Sequence, residues 1–191
     1  MDAEDRVGAA AEAVRRERYM LHEDGTQVPQ SSAPQVVLRM LRLLDVVAGD
    51  TVLEVGTGSG YSTALLAHLT GPAGRVVSLD IDHEMVERAA RLLRRDGMRN
   101  VTVRRADGRG GYPAGGPYDR LIAWASSNQT VPEAWREQVR EGGLIVAPVR
   151  RGRRGAVIQL RVLPAGRVVE EDQIEAGFIP LTVEPLRPWE G

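Results

Sequence analysis

The chain has 191 residues, 42% of them hydrophobic and 27% charged, with a formal net charge of −1. That length supports one domain with a sizeable core, and the near-neutral charge gives no field to draw the chain to nucleic acid or an anionic membrane. Cysteine is absent, which excludes disulfides, thiolate nucleophiles, Cys-based zinc sites and base methylation through a cysteine adduct. No signal-type apolar core opens the sequence and no apolar run reaches membrane-spanning length, so the expected location is the cytoplasm.

In chain order, a helix is expected from about Ala3 to Tyr19, with Asp2, Glu4 and Asp5 at its start and Arg15, Arg16 and Arg18 near its end, as the helix dipole favours. Leu21 to Ser32 reads as a loop. Pro34 then opens a helix with Val37, Met40, Leu41 and Leu44 on one face. Thr51 to Val55 reads as a strand, followed by a glycine loop and a helix from about Tyr61 to Leu69. Val76 to Leu79 is the next strand. The helix from His83 to Arg95 offers Glu84/Arg88 and Glu87/Arg91 as surface pairs and ends at Gly97. Val101 to Val103, Leu121 to Ala123 and Leu144 to Ala147 supply further strands, with a helix from Pro132 to about Arg140 before the last. Ala156 to Leu163, a turn at Pro164-Ala165-Gly166 and Val168-Val169 read as an antiparallel ending.

Short apolar strands alternating with helices predict an α/β fold. The expected form is Rossmann-like, with a mostly parallel, seven-stranded-type sheet and helices on both faces; its antiparallel C-terminal strands fit a class I methyltransferase better than a dehydrogenase, by fold analogy. One domain is expected over 1–191. It divides into N-terminal helices and a substrate-side loop (1–48), a cofactor-binding core (49–150) and C-terminal strands with a tail (151–191).

The chemical signal is Glu54-Val55-Gly56-Thr57-Gly58-Ser59-Gly60, between a strand and a helix. Glycines there permit a sharp turn and close approach of a ligand. A dinucleotide fingerprint requires glycine at position 61, which is Tyr61. The acidic Glu54 would repel a pyrophosphate but can bind an ammonium group, directly or through water. Asp80 ends the second strand at the distance from the loop where an acid grips ribose hydroxyls, with Asp82 as a competitor. Asp107-Gly108, after the third, can accept from an adenine amino group. Each acid alone could be a loop or cap residue. Together, at the ends of successive strands, they point to an adenosyl cofactor, S-adenosylmethionine, held by Glu54, Gly56, Thr57, Gly58, Ser59, Gly60, Tyr61, Asp80, Ile81, Asp107 and Gly108. No metal is expected.

Ser32-Ala33-Pro34, LEVGTGSGYSTALLAHL, GRVVSLDID, NVTVRRADGRGGYP, Pro117-Tyr118-Asp119 and EGGLIVAPV together resemble the protein-L-isoaspartate O-methyltransferase family, from about Ser31 to Val149. The resemblance implies methyl transfer to an aspartyl or isoaspartyl carboxylate of a peptide or protein, with collapse of the ester to a succinimide. It implies that Ser32, in Ser32-Ala33-Pro34, contacts the substrate carboxylate as the catalytic hydroxyl. From the residues themselves, Ser31 could help to hold that carboxylate, and Trp124 and Ser126 could line a peptide cleft, which makes the expected substrate-binding set Ser31, Ser32, Ala33, Pro34, Trp124 and Ser126. The chain departs from the family pattern at Gln30, Gln35 and Ala123-Trp124-Ala125-Ser126-Ser127-Asn128, all on the substrate side. His22-Glu23-Asp24-Gly25, Val131-Pro132-Glu133-Ala134-Trp135 and Ala176-Gly177-Phe178-Ile179-Pro180-Leu181 are similar to a branch that forms aspartimide in ribosomally made peptides. That branch is the alternative reading, and a cofactor- or peptide-binding domain without turnover is a third.

A carboxylate is already ionised near neutrality, with free carboxyls titrating near ~4, so its methylation needs no general base. The serines before Pro34 could equally cap its helix, and Trp124 could be core. The cluster Arg150, Arg151, Arg153 and Arg154 could bind acids or be a solvated turn. The expected partners exclude nucleic acid, for which a base-methylase signature after the fourth strand is missing, and membranes.

Overall fold

The computed structural model describes residues 2–29, 32–151, 154–175, 178 and 181–182. Gln30, Ser31, Arg153, Ala176, Gly177, Ile179 and Pro180, singled out above, lie outside the described residues.

The strands are β1 (Thr51–Val55), β2 (Arg75–Asp80), β3 (Val101–Arg105), β4 (Tyr118–Ala123), β5 (Ser127–Asn128), β6 (Val139–Arg151), β7 (Arg154–Val162) and β8 (Val168–Glu175). They form one sheet in the order β3-β2-β1-β4-β6-β7-β8, with β5 added on β6. The pairings from β3 through β6 are parallel, and β7 and β8 are antiparallel. The order reverses between β1 and β4. In open α/β sheets, ligands bind in the crevice beyond the carboxyl ends of the strands at such a reversal.

Both faces of the sheet are buried, so its central strands are mainly apolar, with Glu54 in β1 and Ser78 in β2 as buried polar exceptions. Val52, Val76, Ile122 and Val146 join one core with residues of α1 (Ala3–Ala13), α3 (Pro34–Leu44), α4 (Tyr61–Thr70) and α5 (His83–Arg95). Leu53, Val77, Leu121 and Ile145 join the other with Trp135 of α6 (Glu133–Gln138). The alternation follows from the period of a strand.

The N-terminal helix expected as one piece is two, α1 and α2 (Arg16–Met20). Val14 and Arg15 are extended between them, because Val14 turns inward and is buried. The turn delivers Tyr19 to the core, where its hydroxyl donates to Asp96 Oδ2 at 2.8 Å while Arg18 pairs with Asp96 Oδ1. The helix predicted to reach Arg140 stops at Gln138, since Val139 already belongs to β6 and pairs with Tyr118. β6 and β8 extend well past the predicted spans because their edges are paired by β7. Arg88 does not pair with Glu84 as expected but donates to the carbonyls of Ser59 (3.1 Å) and Leu21 (2.7 Å). No helix among the described residues is long and apolar enough to cross a membrane.

Gly143 marks a close crossing in β6. A Cβ there would lie 2.6 Å from Val139 Cγ1 and 2.7 Å from the Asp119 carbonyl oxygen. Gly143→Ala is therefore expected to lower unfolding free energy by about 1–3 kcal/mol, measured by urea denaturation. An unchanged midpoint would show that β6 relaxes there without cost.

Candidate active site

The glycine loop lies between β1 and α4, at the reversal of strand order. Gly56, Gly58 and Gly60 all have positive φ, at 99°, 48° and 84°. Side chains at these positions would be strained, and a Cβ on Gly60 would also meet Ala89 Cβ at 3.0 Å. The loop is held from below. The Gly56 and Thr57 amides donate to the Leu79 carbonyl at 2.7 and 3.0 Å, and Thr57 Oγ1 lies 2.6 Å from Ser78 Oγ.

Glu54 is fully buried. Its Oε1 accepts from Ser62 Oγ (2.5 Å) and Trp124 Nε1 (2.9 Å), and its Oε2 from Thr63 Oγ1 and Ser78 Oγ (2.6 Å). A carboxylate offers about four lone-pair sites, and four protein donors use them. Glu54 is thus not free to take a ligand ammonium directly, as its position in the sequence suggested. It is the node on which the loop is built. Burial pushes its carboxyl above the ordinary range and the four donors oppose that shift.

Asp80 stands at the end of β2 and accepts from the Gly58 amide at 2.8 Å and the Asp82 amide at 3.0 Å, one on each oxygen. Each oxygen keeps a second acceptor direction, which suits the two vicinal hydroxyls of a ribose. Burial raises its carboxyl above the usual range, and the Gly58 and Asp82 amides counter it. Asp82 caps α5 through the Glu84 and Met85 amides, so it does not compete for that role. Ile81 follows Asp80, and its carbonyl accepts from Arg105 Nε at 3.3 Å. Ser59 Oγ accepts from the Tyr61 amide at 3.3 Å, and the Tyr61 ring is buried.

Asp107 departs from expectation. Its carboxylate receives Arg109 Nε and Nη2, at 3.0 and 2.8 Å on Oδ2, and the Arg109 amide at 3.0 Å on Oδ1. Arg109 holds its carboxyl below the usual range. Its acceptor capacity is engaged by a neighbour two residues away rather than left for an adenine amino group. Gly108 beside it admits no side chain, since a Cβ would collide with Val55, and its carbonyl accepts from Trp135 Nε1 at 2.7 Å.

On the substrate side, α3 begins at Pro34 with Ala33 as N-cap and no side-chain cap. The half-buried Ser32 lies before that N-cap and does not cap the helix, and its hydroxyl has no hydrogen-bond partner among the described residues. Trp124, placed on the substrate side by resemblance, is instead only 8% exposed and backs on Gly56, where a Cβ would meet its own Cβ at 3.3 Å. Its indole belongs to the Glu54 node, so the packing alternative is the correct one. The Ser126 carbonyl accepts from the Leu181 amide at 2.8 Å. Among the described residues no group of three or more acidic or histidine side chains could hold a metal ion.

Sequence reasoning missed Ser62, Thr63, Ser78 and Arg88. The first three were visible as hydroxyls inside otherwise apolar stretches, a sign of a buried polar partner. Arg88 carried no such sign, because an arginine on a charged helix face is ordinary.

Comparison with known proteins bears on this site. Residues 1–185 match the family model described as protein-L-isoaspartate(D-aspartate) O-methyltransferase. The protein-L-isoaspartate O-methyltransferase of Ignicoccus hospitalis is 39% identical over 174 residues, covering 87% of this chain and 81% of that protein. The one from Anaeromyxobacter dehalogenans is 42% identical over 156 residues, covering 81% and 73%. A solved protein-L-isoaspartate O-methyltransferase superposes with TM-score 0.83 at 27% identity, over 93% of this chain and 61% of its own length. A putative Plasmodium falciparum homologue, solved with S-adenosyl-L-homocysteine, superposes with TM-score 0.79 at 20% identity, over 94% and 91%, a likeness of fold.

Two outcomes test the geometry. Asp80→Ala removes the ribose acceptor and should weaken S-adenosyl-L-homocysteine binding by roughly tenfold or more, the worth of a hydrogen bond to a charged group. Calorimetric titration checks it, and an unchanged Kd would remove Asp80 from the site. Trp124→Phe deletes one donor to Glu54 while keeping a ring, and should cost about 1–3 kcal/mol of stability. Equilibrium denaturation reads that loss, and wild-type stability would mean that the indole N–H contributes nothing to the node.

Proposed function

Because the chain belongs to the protein-L-isoaspartate O-methyltransferase family, whose members are S-adenosylmethionine-dependent carboxyl methyltransferases, we propose that it transfers a methyl group to the free carboxylate of an isoaspartyl residue in a peptide or protein. The observation that carries the reading is the glycine loop at the reversal of strand order, fixed to buried Glu54 with Asp80 beside it. Ser32, two residues before α3, is the substrate-side hydroxyl by resemblance.

The residues present fit the cofactor. A Cβ on Gly58 would meet open space, so the loop leaves room above it, and Asp80 keeps one acceptor direction on each oxygen. Asp80 and Ile81 would hold the ribose side, and Gly56, Thr57, Gly58, Ser59, Gly60 and Tyr61 the amino-acid side. Gly108 would border the adenine. Asp107 would serve there only if Arg109 turned away. S-adenosylmethionine supplies an electrophilic methyl group on a sulfonium.

The chain's own residues have a positioning task. The acceptor carboxylate is ionised at neutral pH, so no base is required, and the reaction needs one oxygen held in line with the methyl group at close range. The Ser32 hydroxyl, with Ala33 and Pro34 shaping the approach, donates to the other carboxylate oxygen. Ser31 and Ser126, polar residues of the two substrate-side segments, would add to the same wall. The methyl ester then loses methanol as the following backbone nitrogen attacks its carbonyl, which gives the succinimide.

Incubation with methyl-labelled S-adenosylmethionine and matched isoaspartyl and aspartyl peptides tests the reading. Base-labile ester should form on the isoaspartyl peptide. Ser32→Ala should lower kcat by about 10- to 100-fold with cofactor affinity unchanged. Ester on the aspartyl peptide alone would favour a dedicated aspartate methyltransferase, and ester on neither peptide, despite cofactor binding, would overturn the proposal.

A further inference from the structure

Arginine supplies all of the chain's basic residues apart from histidine, and along β6 and β7 the arginines with described side chains other than Arg150 are each answered by an acid. Arg151 pairs with Glu170 and Arg161 with Glu171, both at 2.6 Å. Arg140 meets Asp119 at 2.6 Å. Arg150 is different. It is exposed at the C-terminal end of β6, and its Nη2 donates to Asn128 Oδ1 at 3.1 Å. Among the described residues no acid pairs with it. A neutral amide orients the guanidinium without cancelling its charge, and the rest of the planar fork is left for a second partner.

Its place in the fold gives that charge a direction. Strand alternation puts Arg150 on the same face as Val146, whose core is shared with α3, and opposite Ala147 and Val149, which join the other core. The C-terminal end of α3 is fastened to the start of β4, where Arg120 Nε donates to the Leu44 carbonyl at 3.0 Å. The helix therefore runs back across the sheet, and its beginning, with Ser32, lies toward the strand ends that carry Arg150. β6 lies next to β4, about 10 Å from β1 at ordinary strand spacing, a gap that a few residues of extended peptide span. The segment carrying Asn128 is locked there: Asn128 pairs with Arg150 in the sheet, and the Gln129 amide donates to the Arg150 carbonyl at 2.9 Å.

We propose that Arg150, oriented by Asn128, forms a second carboxylate-binding subsite beside the methyl-acceptor position and selects peptides with an acidic residue near the reacting one. This rests on the carboxyl-methyltransferase reading above. Arg150 is a specificity-determining residue that touches the flanking part of the substrate and leaves the acceptor carboxylate to Ser32.

The test is a series of isoaspartyl peptides carrying a single Glu, or Gln as control, at each position from three before to three after the acceptor. At low salt, wild type should show a kcat/KM about three- to tenfold higher for the best Glu peptide than for its Gln match, as one exposed charge-assisted pair allows. Arg150→Gln should reduce that preference to below about twofold, with cofactor Kd and the rate on the all-Gln peptide unchanged. Asn128→Ala should weaken the preference in the same sense. A flat wild-type profile, or a preference that survives Arg150→Gln, would overturn the proposal. The binding of labelled Glu and Gln peptides to the S-adenosyl-L-homocysteine complex, followed by anisotropy, gives an independent arm. If no peptide is esterified but the Glu peptide binds through Arg150, the methyl-transfer reading fails and the subsite stands. If Glu and Gln peptides bind alike, the subsite fails.

Discussion

The site depends on one buried carboxylate. Glu54 collects donors from α4, β2 and the residue after β4 while itself belonging to β1. A buried ionised group is tolerated only when its hydrogen-bonding capacity is met, so the four elements cannot separate without exposing an unsatisfied charge to an apolar interior. The same bonds set the glycine loop, because Thr57 is joined to Ser78, and Ser78 to Glu54. The loop is held by its base, and its upper surface is free to face a ligand. This is how a segment with three left-handed glycines is kept in one conformation.

A second set of contacts brings the N-terminal helices to the same place. Asp96 receives Arg18 and Tyr19, which anchors α2 against the end of α5. Arg88, from the middle of α5, spans the Leu21 and Ser59 carbonyls and so ties the chain after α2 to the glycine loop. The absence of a side chain on Gly60 is what lets these pieces close, since a Cβ there would press on Ala89 and on Tyr19 Cδ1 at 3.4 Å. The chain through Leu21 is thereby fixed relative to the glycine loop.

Most of the architecture was legible because period and punctuation agreed. Apolar runs bounded by glycine marked β1 and β2, Pro34 marked the start of α3, and Gly97 follows the end of α5. The misplaced boundaries share a cause. Val14 breaks a good helix pattern because the core needs its side chain, and Val139 leaves α6 because β4 offers it a ladder partner. Tertiary demand overrides local propensity in both. In the site, the place of Asp80 at the end of β2 was readable from the sequence, whereas the bonding of Glu54 was not. Spacing alone does not reveal that Ser62, Thr63, Ser78 and Trp124 converge on one carboxylate from three parts of the sequence. Arg109 similarly claims Asp107 by a side-chain rotamer that spacing leaves open.

The two halves of the crevice obey opposite rules of hydrogen bonding. Around the glycine loop, polar groups satisfy one another: Glu54 is saturated, Thr57 is paired, and each oxygen of Asp80 already holds one amide. Toward α3 and β6 they do not. Ser32 lies just before a helix whose cap makes no side-chain bond, Ser127 Oγ is buried without a partner, and Arg150 has, among the described residues, an amide and no acid. A group left unsatisfied in the free protein costs folding free energy unless water or a ligand completes it, and such groups gather where function demands them. The saturated half needs only to present a fixed surface to one invariant cofactor. The other half leaves such bonds to water or to whatever partner occupies it, so its chemistry answers to that partner and is not fixed by the fold alone.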